Sequence, residues 1–263
     1  MAAGDLLTTD GQVELGGHGS PLLLGGSNYQ VLDLDLFSTP DITDEREQLS
    51  RDGVAAGRML LGSVMVKAQV QIRGTAAQIV SRRADLAAAC ALGTDEDYLA
   101  FMLGGTKFLY FGRPQKTQTA QRVGYPTDVR FLALEPAYYS CTVTSTAVDD
   151  STTVTNAGTR STGWEVVVTP PSVPLVGFYV RRLDDTANTI KYDGTVGVGQ
   201  TLRINTRTRE AVKDGADVSA HLSNGAGGPA AWWRLLPGAN TVGTGATSGA
   251  SDQTITHRAG YEV

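Results

Sequence analysis

The sequence predicts a mostly β protein of two domains with a minor α component. Three observations support this fold class: 31 glycines among 263 residues, many short apolar runs separated by turn residues, and one segment with helical periodicity. Short alternating runs between glycine-rich turns are typical of sheets rather than helix bundles. No segment after residue 138 has helical periodicity. We therefore predict a helix-containing β domain over residues 1–138 and a β-sandwich over residues 139–263.

Two segments of the first domain have the period-2 pattern of half-buried strands. One is Tyr29–Phe37 and the other is the longer Met59–Arg73. Alternate residues of a strand point to opposite faces, so the longer strand should cover a core with one face. That apolar face consists of Val64, Val66, Ala68, Val70 and Ile72.

A helix and a hairpin are predicted next in the first domain. Ala76–Ala91 contains neither Gly nor Pro, Thr75 is suited to its N-cap, and Gly93 follows its end. Tyr98–Leu103 and Lys107–Phe111 flank a Gly-Gly pair, which is a turn signal between two strands. We expect one amphipathic helix and one two-stranded hairpin here.

The second domain is predicted to consist of short strands joined by turns. Asp193-Gly194 and Asp214-Gly215 are predicted hairpin turns. Trp232 and Trp233 are consecutive on one strand, so one indole should point inward and the other outward. We predict the inward position for Trp233; the outward indole is either a contact residue or a platform for a sugar ring. The candidate core residues at this strand end are Trp233, Leu235, Pro237 and Gly238.

Composition excludes several function classes. A net charge of −5 argues against a general nucleic-acid binder, which needs a basic surface. No apolar run reaches the eighteen or so residues of a membrane-spanning helix. Cys90 and Cys141 lie far apart, one in a helical and one in a strand pattern, and are both expected to be small buried thiols.

No catalytic or metal-binding motif is present. His18, His221 and His257 are scattered and have no companion at ligand spacing. Asp33 and Asp35 lie on one face of a single predicted strand. The other neighbouring acids fall in predicted turns, and nothing in the sequence places two carboxylates across a cleft: Asp95 to Asp97, Asp149 with Asp150, and Asp184 with Asp185. We therefore predict no enzymatic activity, no metal and no cofactor.

Several short motifs together resemble one family. They are Arg73-Gly74 before the helix, Gly112–Pro114 after the hairpin, Phe131–Pro136, Gly199–Asn205 and Trp233–Val242. In this order they resemble the distal tail proteins of long-tailed bacteriophages. The most specific part is the Trp-preceded Leu-Pro-Gly-Ala-Asn-Thr segment.

The resemblance implies an architecture and a set of partners. Residues 1–138 would form a hexameric ring that continues the tail tube, and residues 139–263 would be a galectin-like β-sandwich outside it. The ring would contact further copies of itself, the tail-tube protein, the tape-measure protein and the tail-tip hub protein. The chain would then be located in the virion, at the tail tip. The second domain is too short for the inserted arms that hold receptor-binding proteins in some members.

A ring subunit must pair its open strand edges with neighbours. The long strand and the hairpin were expected to have such edges, so their apolar residues are the candidate subunit-interface residues: Val64, Val66, Val70, Tyr98, Phe101, Phe108 and Tyr110. Two alternatives stay open at this point. One is the major tail-tube subunit, which shares the helix and hairpin; the other is a glycan-binding module for host adsorption.

Overall fold

A computed structural model describes residues 2–16, 21–37, 42–44, 59–61, 63–91, 97–118, 126–249 and 253–262. The chain divides into an N-terminal unit, Met1–Cys141 with the chain end from Glu262, and a C-terminal unit, Thr142–Tyr261. The division between the units therefore lies after Cys141, whereas the sequence predicted it after residue 138. The mostly β fold class is confirmed.

The N-terminal unit is one antiparallel sheet with a helix and a small separate hairpin. Its elements are β1 (Val13–Leu15), β2 (Leu22–Leu24), β3 (Tyr29–Asp35), β4 (Ile42–Asp44), β5 (Met59–Leu61), β6 (Val64–Ile72), α1 (Ala76–Ala89), β7 (Asp97–Leu103), β8 (Thr106–Gln118), β9 (Thr127–Ala133) and β10 (Ala137–Ser140). The sheet has the order β2-β1-β7-β8-β9-β6-β3, and β10 pairs with β8. The predicted strand Met59–Arg73 is two strands, since β5 pairs with β4 outside this sheet.

The alternation in β6 places its apolar residues in the core, as predicted. Val64, Val66 and Val70 are buried, and the polar residues between Val66 and Val70 are exposed. Helix α1 packs on the same core through Ile79 and Leu86. A capping box fixes its start, because the Thr75 side chain accepts from the Gln78 backbone and the Gln78 side chain accepts from the Thr75 backbone. The helix ends at Ala89, two residues before the predicted end; Gly93 lies outside the described residues.

The β7–β8 hairpin is confirmed and is buried on both faces. Gly104 and Gly105 have φ of 57° and 75°, the left-handed values that a two-residue hairpin turn requires. One face of the hairpin joins the core beneath α1. The opposite face packs in a second cluster formed by Leu7, Ala100, Met102, Leu109, Ala137 and Tyr139.

The C-terminal unit is built from two antiparallel sheets. Its strands are β11 (Thr144–Val148), β12 (Thr152–Asn156), β13 (Trp164–Val168), β14 (Leu175–Val176), β15 (Tyr179–Arg182), β16 (Asp185–Tyr192), β17 (Thr195–Val196), β18 (Leu202–Asn205), β19 (Glu210–Lys213), β20 (Ala216–Asp217), β21 (Leu222–Ser223), β22 (Gly238–Gly245), β23 (Gln253–His257) and β24 (Gly260–Glu262), with one 3-10 turn at Ser219–His221. One sheet has the order β11-β23-β13-β18-β19-β20 and the other β12-β22-β15-β16-β21; β14 pairs with β17. Strand β24 belongs to neither of these two sheets; it is part of the sheet of the N-terminal unit, in which it pairs with β10.

A shared apolar core between the two sheets makes this unit a β-sandwich. Strand β13 supplies Trp164, Val166 and Val168 to it, every second residue as a half-buried strand requires. The Asp214-Gly215 hairpin turn is confirmed, with φ of 48° and 84°. The Asp193-Gly194 hairpin is wrong, because the strands on its two sides, β16 and β17, belong to different sheets.

Candidate assembly surfaces

Most of the predicted subunit-interface residues lie in the core of their own unit. At most 1% of each is exposed in this group: Val64, Val66, Val70, Phe101 and Tyr110. The argument from open strand edges is also wrong, because β6 lies between β3 and β9, and the hairpin lies between β1 and β9. The alternating pattern identifies a strand with one buried face, but it does not say which element covers that face. The interface prediction is therefore wrong for these five residues, which belong to the core.

Tyr98 and Phe108, the other two candidates, are half-buried. Phe108 belongs to an aromatic cluster with Phe101, Tyr110 and Tyr138, in which the ring centroids of contacting pairs lie 5.2–6.0 Å apart. Phe37 packs edge-on against this cluster and is 43% exposed. A subunit contact through Tyr98 or Phe108 stays a prediction.

The residues before β1 fold over the outer face of the hairpin and are held there by a buried carboxylate. Glu14 is fully buried; Gly4 and Leu6 donate their backbone N–H groups to its two oxygens, each at 2.8 Å. The Tyr98 hydroxyl donates to the same carboxylate at 2.8 Å. Burial and this hydrogen bond raise the pKa of Tyr98. Leu7 is thereby set into the second apolar cluster, so this side of the hairpin is covered by the chain itself.

Helix α1 presents an uncovered apolar face on the side opposite its buried residues. At 100° per residue, one stripe of this face contains Ala77, Val80, Ala84, Ala87 and Ala88, all exposed. Val80 is 68% exposed, the largest value among the exposed large hydrophobic residues of the described chain. No charged side chain lies within the stripe. Small residues at helical spacing let a second backbone approach closely, so this stripe can serve as a packing surface.

The C-terminal candidates divide between core and surface. Trp233 is 4% exposed and Leu235 is fully buried, whereas Pro237 and Gly238 are exposed. The prediction that Pro237 and Gly238 are core residues is therefore wrong, and both belong to a turn. Gly238 has φ 86° and begins β22, so the chain reverses there at the surface. The predicted strand at Trp232 and Trp233 is wrong, because neither residue lies in a strand. Trp232 is half-buried and packs against the same core as Trp233, so its predicted outward position is wrong as well.

Sequence reasoning missed the ring that Trp233 packs against. The Trp164 and Trp233 ring centroids lie 4.5 Å apart, and neither indole N–H has a hydrogen-bond partner among the residues that the structure describes. His257 pairs with Trp164 across β13 and β23, and its Nε2 lies 3.1 Å from the Thr155 carbonyl oxygen. Burial lowers the pKa of His257. The position of Trp164 at the start of an alternating apolar run was the signal that could have identified it.

The remaining predicted groups are dispersed. Among the described residues no three His, Cys, Asp or Glu side chains come together as metal ligands. Asp149 caps a turn by accepting from the Ser151 backbone and the Thr152 hydroxyl. Cys90 is buried, which raises the pKa of its thiol to about 11, but Cys141 is partly exposed, so its predicted burial is wrong. No helix in the described ranges is long and apolar enough to cross a membrane.

Comparison with known proteins gives matches only to solved structures. The sequence matches no protein-family model and no curated protein. The structure is similar to the crystal structure of the Dit protein of phage SPP1, described as a paradigm of the hub adsorption apparatus of phages that infect Gram-positive bacteria. The TM-score is 0.62 at 15% identity, over 89% of this chain and 93% of the other.

Two baseplate structures of phage P2 in its activated conformation contain similar chains. The baseplate with Ca gives a TM-score of 0.54 at 8% identity, and the one with Sr gives 0.58 at 9% identity. Both matches cover 93% of this chain and 96% of the other. Identities this low establish the fold and not the function. The chain therefore has the fold of the phage distal tail (Dit) proteins, across both of its units.

Proposed function

We propose that this chain is a non-enzymatic structural subunit of a bacteriophage tail tip, where copies of it form a ring that joins the tail tube to the tail-tip hub. The observation that carries the proposal is the length of the match to SPP1 Dit, which covers 89% of this chain and so includes both units. A tail-tube subunit accounts for the helix and hairpin, but it leaves the complete second sandwich without a role.

The exposed face of α1 is the proposed contact between copies in the ring. The stripe of Val80 and alanines on this face contains no charged side chain, and packing it against a second chain removes apolar surface from water, worth about 25 cal/mol per Å². Six copies is the stoichiometry expected. The tail-tube, tape-measure and hub proteins are the proposed neighbours along the tail axis.

Native mass spectrometry of the purified chain tests the ring. We expect a closed oligomer that Val80→Asp converts to monomer, because a buried unpaired carboxylate costs several kcal/mol per copy. Val198→Asp is the matched control: Val198 is 50% exposed and lies in the C-terminal unit. An oligomer that survives Val80→Asp would exclude α1 as the contact.

Imaging of the virion tail tests the position. Symmetry-resolved electron microscopy of tails should place one ring of this chain next to the hub. Many stacked rings along the tube would instead identify a tail-tube subunit, and a single copy per virion would refute the ring.

A further inference from the structure

We infer that the C-terminal unit contains a binding site for an uncharged saccharide, in a cavity between the β11–β12 turn and the ends of β22 and β23. The cavity measures about 590 Å³, within the range of roughly 300–1,000 Å³ that is typical of small-molecule sites. Its polar lining consists of Asp149, Asp150, Tyr179, Thr244, Gln253 and Thr254. The inference does not depend on ring formation, because every lining residue belongs to this unit.

One wall of the cavity is an aromatic ring in a fixed orientation. Tyr179 lies directly against Gly245, where an added Cβ would come within 2.5 Å of the phenol oxygen. The guanidinium carbon of Arg181 stands 5.3 Å from the centroid of the same ring, a cation–π contact. The glycine therefore gives the ring its position, and Arg181 helps to hold it. Within the described part of the chain the Tyr179 hydroxyl has no hydrogen-bond partner, so it is available to form a hydrogen bond with a ligand.

Three of the other lining residues, Asp149, Asp150 and Thr254, offer hydrogen-bonding atoms that the described part of the chain does not use. Thr244 and Gln253 are bonded to each other, since the Thr244 hydroxyl donates to Gln253 Oε1 at 2.6 Å. Neither the Asp150 carboxylate nor the Thr254 hydroxyl has a hydrogen-bond or ion-pair partner among the described residues. Asp149 uses one carboxylate oxygen, Oδ1, for Ser151 and Thr152, which leaves Oδ2 available. Carboxylates only accept, and hydroxyls both donate and accept. A ligand with several neighbouring hydroxyl groups satisfies this set.

The charge of the lining selects among such ligands. Two carboxylates and no Lys or Arg side chain line the cavity. An acidic saccharide would bring its charge beside two carboxylates, whereas the Arg181 guanidinium is held against the Tyr179 ring and is not part of the lining, so the acidic ligand is disfavoured. An uncharged saccharide avoids that repulsion, donates its hydroxyls to Asp149 and Asp150, and packs its C–H groups beside Tyr179.

Saturation-transfer difference NMR on the full chain tests the site with glucose, galactose, N-acetylglucosamine and rhamnose, alone and with EDTA. We expect saturable binding of at least one of them, unaffected by EDTA, and weaker binding of glucuronic acid. Asp150→Ala should weaken the binding about tenfold, because a sugar hydroxyl loses a charged acceptor. Tyr179→Phe keeps the ring and should have a smaller effect in the same direction.

Two further variants separate this site from binding elsewhere. Ala147 is exposed on β11 and lines the cavity, so Ala147→Trp should fill it and abolish binding while the fold stays intact by circular dichroism. Asp128→Ala, at an exposed acid of the N-terminal unit, should leave binding unchanged. The proposal is overturned if no sugar of the panel binds, if binding survives Ala147→Trp, if glucuronic acid binds more tightly, or if the signal requires calcium.

Discussion

Replacing Trp233 by Ala is the sharpest test of the sandwich core. Trp233 is 4% exposed and packs on Trp164 with the ring centroids 4.5 Å apart. Truncation of a buried Trp or Phe to Ala costs about 3–5 kcal/mol through lost burial and the cavity left behind. The variant also removes one buried indole N–H that has no partner, an unfavourable group worth about 1–3 kcal/mol. Because these contributions oppose each other, the expected decrease in the free energy of unfolding lies near the lower limit of the 3–5 kcal/mol range, at about 3 kcal/mol.

Thermal and urea denaturation of the full chain measure this loss. About 3 kcal/mol corresponds to a decrease in Tm of roughly 10 °C for a unit of this size. The transition of the C-terminal unit should shift, whereas that of the N-terminal unit should not. Trp232→Ala is the matched control and should shift the transition much less, because that indole is only half-buried.

A second variant isolates the polar contribution. Trp233→Phe keeps an aromatic ring against Trp164 and removes the unpartnered N–H, so its cost should be well below that of Trp233→Ala. If Trp233→Ala melts like the parent chain, the interpretation of this indole as a core residue is wrong. If Trp233→Phe costs as much as the alanine variant, the N–H has a partner such as an internal water.

Three further predictions concern single buried groups. Burial lowers the pKa of His257, so on acidification the unfolded chain takes up a proton at this residue before the folded chain does. The free energy of unfolding of the C-terminal unit should therefore fall between pH 7 and pH 5, and it should fall less in the His257→Gln variant. Glu14→Gln places an amide N–H₂ against donors and should cost about 2–3 kcal/mol by denaturation, with faster hydrogen exchange at Gly4. Gly112→Ala should cost about 1–3 kcal/mol, because its Cβ would lie 2.0 Å from the Leu132 carbonyl oxygen.

Each of these has an outcome that would contradict it. An unfolding free energy of the C-terminal unit that does not change between pH 7 and pH 5 would show that His257 is already solvated. Unchanged exchange at Gly4 in Glu14→Gln would show that other contacts hold the N-terminal residues. A Gly112→Ala variant as stable as Gly26→Ala, where φ is not left-handed and the added Cβ would make only an ordinary contact at 3.5 Å with the Leu23 side chain, would show that the β8–β9 ladder can shift to accept it.

The local elements were predictable from sequence because their signals are local. The Thr75 cap, the Gly104-Gly105 turn and the alternation in β6 each depend on residues within a few positions of one another. The change from a helix-containing to an all-β pattern, which reflects composition over long stretches, predicts a division after residue 138; the division by contacts follows Cys141.

The packing partners were not predictable in the same way. Tyr29 pairs with Ile72 across β3 and β6, and no local pattern encodes that pairing. Glu14 is an ordinary charged strand residue in the sequence; it is buried because donors from residues 4, 6 and 98 surround it. The interface prediction for Phe101 and Tyr110 was wrong for this reason. The alternating pattern of their strands showed that one face is buried, but it did not show that residues of the same chain cover that face.

The arrangement of the N-terminal sheet has a consequence for how the chain folds as it is made. Strand β1 pairs with β7, and the hydrogen-bonded residues Glu14 and Tyr98 of these strands are separated by 84 residues in the sequence. At roughly 5–20 residues per second, several seconds of translation separate the two. Strand β10 gains its second neighbour only when β24, which begins at Gly260, has also been made. Such non-local pairings give slow folding, so the sandwich, whose strands all lie between these two ends, can complete its own core before the sheet that precedes it in the chain.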